Sequence, residues 1–200
     1  MRRTFKMKTK RIVLYGLFIA IILLMAFTPI GYIKMPFVEI TLITIPVIVG
    51  AVTMGPVAGL VLGTVFGLTS FAQCFGMSKF GTTLFSINPF FTFIICVVAR
   101  ALMGYLCGVI FKAFEKRGNT SVWAFGVSSV AGALLNTLFF VGFLLILFGN
   151  SDYIMAMRAG ANVLAFLAAF VGINGLVEAI ACGIVGTAIS KALHKVTKAD

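Results

Sequence analysis

Charge is scarce in this chain, and negative charge is scarcer. Of 200 residues, 10% are charged and only five are acidic. A soluble domain of this length needs far more charge to cover its surface. Five scattered carboxylates supply no cluster for metal-assisted phosphoryl transfer. Neither a His/Glu zinc motif nor a GxSxG serine elbow is present. A Walker motif is also missing, so any nucleotide-driven energy source has to sit on another subunit. These absences argue against an enzyme and against a bound cofactor. The four cysteines, Cys74, Cys96, Cys107 and Cys182, form no CxxC pair and no metal-ligand spacing. Three of them fall inside apolar segments and read as small packing residues. Neither a disulfide framework nor a zinc site is expected.

What the chain has in abundance is apolar sequence. Hydrophobic residues make up 61%, and mean hydropathy is +1.14. They come in runs near or above the roughly 18–20 residues that cross a bilayer. The expectation is an all-α integral membrane protein, one membrane domain over 1–200, embedded in the lipid bilayer. Six transmembrane helices are predicted, over about 12–27, 40–54, 56–73, 89–112, 122–148 and 161–193. That leaves little room for a separate soluble domain.

A net charge of +11 would point to nucleic acid in a soluble protein. Here the basic residues gather at the ends of membrane segments. Arg2, Arg3, Lys6, Lys8, Lys10 and Arg11 precede the first. Lys112, Lys116 and Arg117 lie between the fourth and fifth, and Lys191, Lys195 and Lys198 follow the sixth. Only Lys34, Lys79 and Arg158 fall on the other side. The positive-inside rule therefore predicts cytoplasmic N- and C-termini and no nucleic-acid partner. The basic start and the apolar run behind it resemble a secretory signal. However, Thr28-Pro29-Ile30-Gly31 reads as a helix-ending turn rather than a cleavage site, so a retained helix is expected.

The chain is organised around IPVIVGAVTMGPVAGLVLGTVFGLTSF, residues 45–71. It is an apolar segment, a Gly55-Pro56 break, and a second segment with Gly59, Gly63 and Gly67 four apart. Those glycines share one helical face and admit a neighbouring backbone. Gly104 and Gly108 continue the face of Arg100 at the same interval. On the first helix Gly16 and Ala20 form another small-xxx-small pair, which serves packing within the chain or docking to a partner equally well. The segment before Met54 is short for a span. Thr44 ahead of Ile45-Pro46 resembles a helix start with proline in the first turn. A short, proline-marked helix beside a glycine-rich one points to a binding cavity in transporters.

A charge at the bilayer centre costs at least about 2.5–3.5 kcal/mol, so Arg100 and Glu178 need a reason. Arg100 falls roughly 16 Å into its helix at 1.5 Å per residue. It either anchors an anionic substrate through its two-pronged guanidinium, with Glu178 a second candidate substrate contact, or pairs structurally with Glu178 or caps a neighbouring helix end. Asn136 and Asn174 are amides near mid-membrane that suit a polar metabolite or an ordinary interhelical hydrogen bond. Gln73, Asn88 and Asn162 stand where outer loops join helices, a natural rim for an outward pocket, and Tyr32 could cover it. His194, in the basic tail, is expected to be solvated.

The chain resembles the substrate-binding S components of energy-coupling factor (ECF) vitamin transporters. The resemblance rests on six spans in about 200 residues, a basic start, Gly16/Ala20, the 45–71 hairpin, and ARALMGYLCG around Arg100. TPIGYI followed by TLITIPVIVGA is similar to the pantothenate-specific type. The resemblance implies a vitamin-binding subunit, without metal or catalytic residues, in a bacterial plasma membrane. It would work with a transmembrane coupling subunit and two ABC ATPases, toppling in the membrane to deliver its ligand. It further implies that Gly16 and Ala20 stand at an alanine-xxx-alanine docking motif, with glycine in place of the first alanine. Segments 28–41, 74–88 and 149–160 would then cap the ligand. Riboflavin, folate or biotin would suit the same polar groups, and a non-transporting scaffold is the reading from another class.

Overall fold

A computed structural model describes residues 2–28, 31–34, 39–118, 120–158 and 175–198. Helix α1 runs from Arg2 to Ala26. It starts well before residue 12, because Arg, Lys and Met are good helix formers and nothing in the basic stretch breaks the helix. Residues 40 and 41 do not begin the second helix. Strands β1 (Tyr32–Lys34) and β2 (Glu39–Thr41) pair antiparallel, Ile33 opposite Ile40. The β-branched residues around Ile40 favour that extended form. Helix α2 then covers Thr44–Met54, opening at Thr44 with Pro46 in its first turn, where a missing N–H costs nothing.

Gly55, at φ 99°, turns the chain into α3, Pro56–Gln73. A left-handed φ of this kind favours glycine. Segment 74–88, expected as a loop, contains α4, Lys79–Ile87, with Ser78 as its N-cap accepting from the Gly81 amide. Helix α5 spans Pro89–Lys116 and includes a π-helical turn at Ile94–Val98. Helix α6 covers Val122–Phe148. The expected loop 149–160 likewise holds a short helix, α7, Asp152–Arg158. The described part of α8 runs over 175–198, with a second π turn at Cys182–Gly186. Among the described residues, five helices are long and apolar enough to cross a membrane: α1, α3, α5, α6 and α8. At 11 residues, α2 is roughly 16 Å long, about half a hydrocarbon core.

The glycine ladder does what its spacing requires. Helices α3 and α5 pack backbone to backbone. A Cβ at Gly59 would fall on the Gly104 carbonyl, and one at Gly104 on the Gly59 carbonyl. Gly63 lies over the Arg100 carbonyl, Gly67 would put a Cβ 2.6 Å from Val97 Cα, and Gly108 one 2.6 Å from Pro56 Cα. Lipid offers no hydrophobic drive for helices to associate, so close van der Waals packing of this kind holds the pair together.

The main core lies between α1, α2, α3, α5 and α6, around Ile22, Val47, Ile48, Leu62, Phe66 and Met103. A second core, Leu84, Ile95, Leu144, Phe148 and Ile154, joins α4 and α7 to the start of α5 and the end of α6. On α1 the residues facing inward are Phe18, Ile22 and Ala26, whereas Ile12, Val13, Leu17 and Leu24 are exposed. His194 is not solvated. It is buried between the rings of Phe111 and Phe125, at 5.4 and 5.3 Å, and lies 4.0 Å from Glu115.

Candidate functional site

The two charges of the membrane interior lie near one another but do not form a direct ion pair among the described residues. Each has its own set of partners. Arg100 stands two residues after the π turn of α5. Its Nη1 donates to the Ile95 carbonyl at 2.7 Å. The guanidinium carbon sits 4.7 Å from the Phe140 ring centre and 5.5 Å from that of Phe66, within the range where a ring face attracts a cation. The residue is only 7% exposed. Its Nε finds no partner among the described residues.

Glu178, on α8, is 5% exposed. Thr44 donates its hydroxyl to Oε1, Asn136 donates Nδ2 to the same oxygen at 3.1 Å, and Thr137 donates to Oε2 at 3.5 Å. Thr44 is the first residue of α2, so the carboxylate rests at the positive end of a half-length helix. A helix N-terminus favours a negative group there. Asn136 spends its amide nitrogen on Glu178, while its Oδ1 is buried and unpartnered among the described residues.

The site therefore presents an incompletely used guanidinium, flanked by aromatic rings, near a carboxylate and an open amide oxygen. Phe140 connects it to the second core, since its ring also lies 6.3 Å from that of Phe80 on α4.

Of the residues expected from the sequence, Arg100, Glu178 and Asn136 come together here. Gln73 does not join them. Its Nε2 donates to the Ala26 carbonyl at 2.5 Å and ties the end of α3 to the end of α1. Asn88 caps the start of α5, its Oδ1 accepting from the Phe91 amide at 3.1 Å. Tyr32 lies in β1. Asn162 and Asn174 lie outside the described residues. Gly16 and Ala20 are exposed on α1, away from the cluster, and a Cβ at Gly16 would meet nothing within 4 Å. Sequence reasoning missed Phe66, Phe140 and Thr137. Thr137 adjoins Asn136 and Phe140 lies one turn further along, a spacing that could have flagged both. Among 21 phenylalanines, Phe66 carried no distinguishing mark.

Apolar helices long enough to cross a bilayer, with charged and amide groups buried between them, are those of a multi-pass membrane protein. The comparisons make the class specific. The family model described as "ECF transporter, substrate-specific component" matches residues 10–190, and the chain belongs to that family. It is 30% identical over 203 residues to the pantothenic acid transporter PanT of Lactococcus lactis subsp. cremoris, covering 95% of this chain and 96% of that protein. It is also 30% identical over 194 residues to the pantothenate transporter PanT of Leuconostoc mesenteroides subsp. mesenteroides, covering 93% of each. The family and both relatives are transporters.

Proposed function

We propose that this chain captures pantothenate outside a bacterial plasma membrane and delivers it inward as the substrate-binding subunit of an ECF-type ABC importer. The observation that carries the reading is Arg100: a buried cation whose Nε has no partner among the described residues. Such a group in a membrane interior is costly unless something satisfies it. A ligand carboxylate does so with a charge-assisted hydrogen bond. Pantothenate carries one carboxylate, one amide and two hydroxyls. An amide N–H or hydroxyl supplies the donor that Asn136 Oδ1 lacks. The names of both relatives point to the same substrate.

The transport step needs partners, because the chain carries no ATP-binding motif. A transmembrane coupling subunit and two ABC ATPases supply them in this reading. Gly16 and Ala20 form the coupling contact. They lie two residues from the buried stripe Phe18, Ile22 and Ala26, hence on the opposite side of α1. Six crossings, the short α2 among them, with both termini cytoplasmic account for the distribution of basic residues.

Equilibrium binding to the purified subunit tests this, using pantothenate and its alcohol analogue, which lacks the carboxylate. Arg100→Gln should weaken pantothenate binding by roughly 10- to 100-fold, the equivalent of the about 1.5–3 kcal/mol assigned to a charged hydrogen bond. The alcohol should bind both proteins alike. Unchanged pantothenate affinity in Arg100→Gln overturns the assignment.

A further inference from the structure

Cys74 and Cys96 are 22 residues apart in sequence, yet their sulfurs lie 3.9 Å apart. Cys74 ends α3, and Cys96 is in the middle of the π turn of α5. Both are buried, at 3% and 5% exposure, in a small core of their own with Val97, covered by Phe71 and Phe85. Room for the Cys74 thiol depends on Gly81 of α4, where a Cβ would approach its sulfur to 2.7 Å. Cys107 and Cys182 are buried elsewhere and belong to the main core.

We infer that Cys74 and Cys96 are a redox-modification site, closed to a disulfide by hydrogen peroxide, an oxidant small and uncharged enough to reach a buried pair, and that closing it disturbs the Arg100 anchor. The sulfurs must approach from 3.9 Å to about 2.05 Å. Little stands between them, and two elements near the ends of their helices can yield. Cys74 is followed by a turn through Gly76 at φ 116°, and Cys96 lies in a π turn rather than a regular helix. One cysteine thiolate attacks a peroxide oxygen and becomes a sulfenic acid, and the other peroxide oxygen leaves as water once protonated. The second thiolate attacks the sulfenic sulfur, forms the Cys74–Cys96 bond and releases the sulfenic oxygen as a second water. The two cysteines lose two protons and two electrons, and the peroxide is reduced to two waters.

The consequence follows from position. Ile95, whose carbonyl accepts from Arg100 Nη1, is adjacent to Cys96 in the same turn. Pulling Cys96 toward α3 moves that carbonyl and the guanidinium it orients. This consequence rests on Arg100 binding the ligand, whereas formation of the bond does not.

The test treats the purified protein with hydrogen peroxide, removes the excess with catalase, quenches with an alkylating agent under denaturing conditions, and measures intact mass and cysteine-linked peptides. The expected product carries two alkyl groups, on Cys107 and Cys182, where the reduced control carries four; Cys74 is joined to Cys96, and dithiothreitol before alkylation restores the four. Cys74→Ser and Cys96→Ser should each abolish it. Alkylation of both Cys74 and Cys96 after oxidation, or a linkage to Cys107 or Cys182, overturns the site. Pantothenate binding is then compared between reduced and oxidised protein. A several-fold weaker affinity after oxidation is expected, and equal affinities overturn the link to Arg100. Reduced protein that binds no pantothenate refutes the substrate assignment instead, and the mass measurement stands apart from it.

Discussion

Gly63→Ala is the smallest change that tests how the site is supported. The added methyl would fall on the Arg100 carbonyl oxygen, 2.9 Å from its carbon and 3.1 Å from Ala101 Cα. Carbon atoms pack favourably at about 3.5–4.0 Å, so α3 and α5 would have to part by roughly half an ångström or more. They cannot part only there, because Gly59 meets Gly104 one turn to one side and Gly67 meets Val97 one turn to the other. Overpacking of this kind costs about 1–3 kcal/mol. For a chain of this size each kcal/mol lowers Tm by roughly 2–4 °C, so a loss of about 5 °C is expected. Gly16→Ala is the control, since a Cβ there meets nothing within 4 Å. Both variants are compared with the unsubstituted protein by thermal unfolding in detergent, followed by size-exclusion chromatography. Gly63→Ala as stable as Gly16→Ala would refute the backbone contact between α3 and α5.

Other perturbations separate binding, coupling and folding. Gly16→Leu or Ala20→Leu should abolish uptake in a reconstituted transporter while leaving the isolated subunit's affinity unchanged; loss of both together would remove the docking role from that face of α1. Glu178→Ala removes the acceptor used by Thr44, Asn136 and Thr137. Leaving such groups unpaired costs about 1–3 kcal/mol, read as a lowered Tm without ligand. Arg100→Lys should retain part of the pantothenate affinity lost in Arg100→Gln, since the charge remains but the fork does not.

The sequence is most legible where the physics is local. Glycines four apart announce a close helix contact, and both partners of that contact, Gly59/63/67 and Gly104/108, could be read from spacing alone. Thr44 and Pro46 mark the start of the short helix for the same reason. Interior charges are equally visible, because an Arg100 or a Glu178 in an apolar run needs a partner. Which partner could not be read. Arg100 and Glu178 look like a pair in sequence, yet Arg100 turns to its own helix and to Phe140, and Glu178 to the first turn of α2. That choice depends on the rotation of each helix, which the π turns at 94–98 and 182–186 alter. His194 misled for a similar reason. A basic tail suggests solvent, but the amphipathic end of α8 folds its histidine between Phe111 and Phe125. Helices such as α4 and α7, at 9 and 7 residues, span too few turns to stand out from loops.

The central claim is that this chain holds pantothenate, and native mass spectrometry of the protein purified from cells grown in rich medium addresses it most directly. A bound species with the mass of pantothenate, lost in Arg100→Gln, is the predicted result. A protein that stays empty through a titrated panel of vitamins would contradict the account.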